Sequence, residues 1–178
     1  MSLDNAFVLI EGHPPHGRKV KRIWMAKKSA GLLLYRGVDD SVEVFLVHPG
    51  GPFWAKKDDG AWSIPKGEFV DGEEALEAAK REFQEETGFA VKGTFEALEP
   101  VKQAGGKMVY AWAIEGDIDS SAIRSNNFSM EWPPGSKKIR EFPEVDRGGW
   151  FEPAIARKKI LAGQSPLLEE LLKKLKKS

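Results

Sequence analysis

The sequence predicts an α/β domain. Three observations carry that prediction. Short apolar runs closed by turn signals read as strands, "SAGLLLYRG" (Ser29–Gly37) first among them. Between Gly67 and Phe89 the apolar positions take a helical period, with Leu76, Ala79 and Phe83 on one stripe. Strands then resume, and the chain closes on a second amphipathic stretch. With 178 residues, 41% of them hydrophobic, the chain suits one domain with a core of ordinary size.

Each element can be justified in order. Residues 1–28 read as a partly mobile lead-in, because residues 11–22 are rich in Gly, Pro, His and basic side chains; residues 29–178 read as the single domain. "VEVFLVHPG" (Val42–Gly50) is a second strand after the turn "GVDDS". "GGPFWAKKDDGA" (Gly50–Ala61) is a loop carrying Phe53, Trp54 and two lysines. "WSIPKGEF" (Trp62–Phe69) is a short strand broken by Pro65, and a helix follows. Asp71 or Gly72 is placed to cap that helix, Glu73 and Glu74 to fill its first turn, and Gly88 to end it in the left-handed conformation. Ala90–Gly116 reads as two strands around a Gly-Gly turn, the surer one being Lys107–Ile114. Residues 117–142 read as a long, weakly structured loop. "GGWFEP" is a strand end, Glu152-Pro153 opens a helical stretch, and Ser165–Leu175 is the last helix. Its inner face is Leu167, Leu168, Leu171, Leu172 and Leu175.

Composition excludes several functions. Lys+Arg and Asp+Glu are both 27, so no global field draws the chain to nucleic acid or anionic membranes, and no extended nucleic-acid surface is expected. With no cysteine, disulfides and thiolate zinc sites are ruled out. No apolar run approaches the roughly 18 residues of a membrane span. The opening residues lack the order of a signal peptide, and a cytoplasmic protein is the expectation.

The helix segment holds the chemistry. Gly67–Phe89 carries eight carboxylates and two basic residues. Glu82, Glu85 and Glu86 share one edge of the helix, since positions three and four apart are surface neighbours. Ala75 and Ala78 leave room beside them; Glu77, Lys80 and Gln84 point to solvent, and Glu73 with them. Like charges at this spacing cost a few tenths of a kcal/mol per pair. A hard divalent cation, which takes oxygen ligands and is shared with substrate phosphates, would offset that cost. Without it the acids would raise one another's pKa values and titrate together. Alone, three glutamates read as a solvated acidic face, as most charge runs are.

The surrounding spacing changes that reading. Gly67, five residues, Glu73, seven residues, Arg81-Glu82-Phe83, one residue, Glu85-Glu86, one residue, Gly88-Phe89 resembles the Nudix hydrolase signature at every defined position. The resemblance, MutT-like in type, spans 23 residues. It implies an α/β/α sandwich around a mixed sheet. It also implies a pyrophosphohydrolase that cleaves a nucleoside diphosphate linked to another group with Mg²⁺ or Mn²⁺. By the same resemblance Glu82 and Glu86 are the main metal ligands, Glu85 is a further one, and the Lys66 carbonyl faces the metal. Glu73 and Arg81 pair to tie loop to helix, and Gly67 and Gly88 supply backbone freedom. The general base is a glutamate of the box, Glu85 for instance, or one on a later loop. Glu144, in "EFPEVDRGGWF", is the loop candidate, and Glu131, in "MEWPPG", is a weaker one.

The substrate expectation is a small nucleotide, either a dinucleoside polyphosphate or a nucleoside triphosphate. "SAGLLLYR", "WSIPKGEFVDGE" and "KMVYAWAIEG" resemble asymmetric dinucleoside tetraphosphate hydrolases of the family. Phe53, Trp54, Tyr110 and Trp132 could stack on a base. Lys56, Lys57, Lys66, Lys107, Lys137 and Lys138 could meet phosphates. Two alternatives stand beside this: trimming of an RNA 5′-triphosphate, and a non-catalytic Nudix ligand sensor. A homodimer is allowed for.

Overall fold

The computed structural model describes residues 27–38 and 41–177. The expected lead-in lies outside them as far as residue 26, and Lys28 already belongs to the first strand. In chain order the strands are β1 (Lys28–Val38), β2 (Ser41–Pro49), β3 (Lys66–Glu68), β4 (Glu96–Ala97), β5 (Val101–Lys102), β6 (Met108–Glu115), β7 (Asn127–Glu131), β8 (Ile139–Pro143) and β9 (Val145–Phe151). The helices are α1 (Ala75–Thr87), α2 (Pro153–Lys159) and α3 (Ser165–Leu175).

Seven strands make one sheet in the order β4-β6-β1-β2-β9, with β3 also on β1 and β5 also on β6. The β1–β6 pairing is parallel and the others are antiparallel, so the sheet is mixed. A strand buried on both faces reads as a continuous apolar run, as β1 does. Ala30, Leu32 and Leu34 pack with Ala78, Ala79 and Phe83 of α1. Leu33 faces the other way, toward Ala156 of α2 and Leu167, Leu168 and Leu171 of α3. Helices thus cover both faces, which is the α/β/α sandwich. Among the described residues no helix is long and apolar enough to cross a membrane.

Three expectations need correction. Residues 117–142 are not a loop: β7 and β8 pair from Asn127↔Pro143 to Glu131↔Ile139 as a separate two-stranded sheet. α1 begins at Ala75, later than expected, and neither Asp71 nor Gly72 caps it. Gly72 takes a positive φ of 96° in the turn before the helix, while Asp71 turns away to meet Lys28 Nζ at 3.0 Å. Ala78, expected to leave room beside the acids, is fully buried against the sheet.

Candidate active site

β3 and α1 bring the signature together. The Lys66 backbone N–H donates to Glu86 Oε2 at 3.0 Å, docking the strand onto the helix. Glu82 is 9% exposed, and a Cβ on Gly67 would overlap its carboxylate. Gly67 therefore supplies room for Glu82, where backbone freedom was expected. Gly88 does supply freedom: its φ is 81°, in the left-handed region, and its N–H closes the helix on the Gln84 carbonyl.

Arg81 does more than the sequence suggested. Its Nε donates to Glu73 Oε1 at 2.9 Å, and the same guanidinium reaches Glu82 Oε1 at 2.6 Å and both Glu85 oxygens at 3.3 Å. One cation thus serves three carboxylates. Glu73 precedes the helix and folds back onto Arg81, so it does not point freely to solvent.

Electrostatics mark the cluster as short of positive charge. Burial pushes Glu86 up to about 8, and Glu82 and Glu144 add to the rise, while the Lys66 N–H and ammonium oppose it. Burial also raises Glu82, against the pull of Arg81, with Glu85 and Glu144 adding to the rise. Glu144 is raised by burial and by Glu85. The Lys66 ammonium is lowered by burial and by Lys107, with Glu86, Glu82 and Glu68 opposing. These mutual effects place Glu144 within electrostatic reach of all three helix acids, although it lies between β8 and β9.

Of these acids Glu86 and Glu144 line a cleft of about 210 Å³, together with Lys66, Trp54, Val47 and Val145. A second, apolar pocket of about 300 Å³ adjoins it, walled by Phe53, Trp54, Phe128 and Met130. Trp54 is common to both. Among the described residues no three carboxylate or imidazole groups converge tightly enough to hold a metal ion as they stand. The chemistry of the donors nonetheless fits a hard divalent cation: several carboxylate oxygens, partly desolvated, with too little positive charge between them.

The NUDIX domain model matches residues 25–171. The chain belongs to the Nudix family. It is a Nudix hydrolase, an enzyme of phosphoanhydride bonds. A crystal structure of a Caenorhabditis elegans Ap4A hydrolase binary complex is 24% identical, covers 86% of this chain and 100% of that one, and superposes with a TM-score of 0.58. The NUDIX domain of Shewanella oneidensis NrtR, complexed with ADP ribose, is 19% identical, with 89% and 94% coverage and a TM-score of 0.61. A mutT/nudix family protein from Listeria innocua is 15% identical, with 85% and 94% coverage and a TM-score of 0.55. At these identities the likeness is one of fold. No curated protein matches the chain.

Within this Nudix domain the expected substrate residues scatter. Trp54 lines the cleft, and Lys57 Nζ sits 4.5 Å from the centre of its ring. Trp132 lies edge-on to Phe53, 5.3 Å between centroids, at the end of β7. Tyr110 packs on Phe69, 6.0 Å away, and does not line the cleft. Lys107 is taken by Glu68 at 2.9 Å. Lys137 and Lys138 lie in the β7–β8 connection, and Glu131 accepts the Lys137 N–H there at 2.7 Å, away from the cleft. Sequence reasoning missed Phe128 and Met130. Their i, i+2 spacing in "NFSME" was the available signal of a half-buried strand.

Proposed function

We propose that this Nudix hydrolase cleaves a nucleotide polyphosphate, a dinucleoside polyphosphate or nucleoside triphosphate, with Mg²⁺ or Mn²⁺ held by Glu82, Glu86 and Glu85. The observation that carries the reading is the shared cleft, where Glu86 of the signature and Lys66 just before it meet Trp54 and Glu144 from distant parts of the chain. A divalent cation at those oxygens would neutralise phosphate charge and acidify an attacking water. The chain supplies the rest. Glu144 is the favoured base, because Glu85 is already engaged by Arg81 while the Glu144 carboxylate is raised toward the range where it can take a proton. Lys66 offers its ammonium to phosphate oxygens. Trp54 offers a ring face to a base.

The test is a phosphate-release panel with Mg²⁺ or Mn²⁺ over dinucleoside polyphosphates, nucleoside triphosphates and 5′-triphosphorylated RNA. Glu86→Gln should lower kcat by orders of magnitude with the fold intact, and Glu144→Gln by roughly 10²-fold or more, as loss of a general base does. Full activity of Glu86→Gln, or in excess chelator, would remove the metal assignment. Preference for the RNA end would move the substrate reading to the nucleic-acid alternative.

A further inference from the structure

His48, next to last in β2, is fully buried, edge-on to Trp62. The catalytic reading does not use it. Its Nδ1 lies 2.8 Å from Asp146 Oδ1, and its Nε2 lies 2.7 Å from the Lys57 carbonyl. The Lys57 N–H in turn donates to the Trp54 carbonyl at 2.8 Å, and the Lys57 ammonium covers the Trp54 ring. An unbroken chain thus runs from a buried ring to the aromatic wall of the cleft. On the other side, Asp146 follows Glu144 by two residues, and the Gly50 N–H donates to the Glu144 carbonyl at 2.9 Å. The two walls of the cleft meet at this imidazole.

We propose that His48 is a positioning residue for substrate binding: Asp146 orients the ring, and Nε2 fixes the Lys57 carbonyl so that Trp54 stands over the cleft. This rests on the reading that Trp54 contacts the substrate. The loop from Gly50 to Ala61 is otherwise tied at both ends, by the Gly50 N–H on the Glu144 carbonyl and by Asp58, which accepts from Trp62 Nε1 at 2.8 Å, and Phe53 packs edge-on to Trp132. Without His48 the turn from Trp54 to Lys57, which lies between those ties, would keep only its own hydrogen bonds. Such a loop still admits substrate, but Trp54 must be ordered at each binding event. The cost falls on binding, equally in ground and transition states, and so on KM.

Two substitutions separate the ring's contacts. Asn places an amide near Nδ1 and keeps the Asp146 contact only. Gln reaches the Nε2 position and keeps a donor for Lys57. The experiment measures KM and kcat with diadenosine tetraphosphate and ATP for wild type, H48N, H48Q, W54A and H48N/W54A, alongside melting temperatures. Expected are a KM raised about fivefold in H48N, the worth of one lost hydrogen bond, with kcat within about twofold, and H48Q near wild type. The double variant should be no worse in KM than W54A alone. If H48N does not fold, Asp146→Ala, at a partly exposed side chain, takes its place in the comparison. Equal KM for H48N and H48Q, whatever their melting temperatures, would reduce His48 to a packing residue. Additive effects of H48N and W54A would also overturn the proposal. A silent W54A sinks it together with the Trp54 reading, whereas a raised KM in W54A with a silent H48N sinks it alone.

Discussion

Glu86 is pulled in two directions. The Lys66 N–H favours its charged form, and burial beside Glu82 and Glu144 opposes it more strongly. The outcome, a carboxyl pushed from 4.5 up to about 8, has a definite consequence for stability. Below pH 4.5 the folded and unfolded chains both hold this proton, so it adds no pH dependence. Between 4.5 and 8 only the folded chain holds it, so stability falls as pH rises. Above 8 the full cost is present. Without metal, the melting temperature of the wild type should therefore drop from pH 5 to pH 8, and that of Glu86→Gln should drop less. Adding Mg²⁺ at pH 8 should raise the wild type more than the variant. Parallel melting curves for the two proteins across that window would show that Glu86 is not the strained carboxylate.

The β3–α1 unit depends on one guanidinium. Arg81 joins the segment before the helix, through Glu73, to the acids along the helix edge. Arg81→Ala should remove about 1–2 kcal/mol, a figure set low because its side chain is 39% exposed, and so lower the melting temperature by a few degrees. Arg81→Lys should not restore it, since an ammonium cannot serve Glu73, Glu82 and Glu85 together. An unchanged melting temperature with lost activity would instead place Arg81 on the substrate. α1 was largely legible in the sequence because its stripe and its terminal Gly88 are local signals. Its start was not, because Asp71 was claimed by Lys28, 43 residues away in the chain. The β7–β8 hairpin escaped for a related reason. It forms its own two-stranded sheet, most of its residues face solvent, and the Pro-Pro-Gly in its connection imitates a loop.

At the scale of the molecule, the signature could be read from 23 consecutive residues, but the cleft could not. Glu144 reaches Glu86 because β2 pairs with β9, setting Pro49 opposite Val145, and no local pattern encodes that pairing. His48 ends an apolar run and looks like the point where a strand surfaces, yet it is fully buried. Gln164 poses the same difficulty, and it bears on the whole sandwich. It is fully buried just before α3, where hydropathy would put a polar residue in water. Its Oε1 accepts the Ile64 N–H at 3.0 Å, and its Nε2 donates to Ser63 Oγ at 3.1 Å. The segment that delivers Lys66 and Gly67 is thus held from both faces of the sheet, by Glu86 on the α1 side and by Gln164 on the α3 side. Gln164→Leu keeps most of the volume but strands a buried N–H, which costs about 1–3 kcal/mol. Chemical denaturation should show that loss. Activity should fall as well, because Ile64 lies two residues before Lys66 and a loosened segment carries Lys66 away from Glu86. A variant with the expected loss of stability but wild-type kcat and KM would show that α1 alone holds the catalytic strand in place.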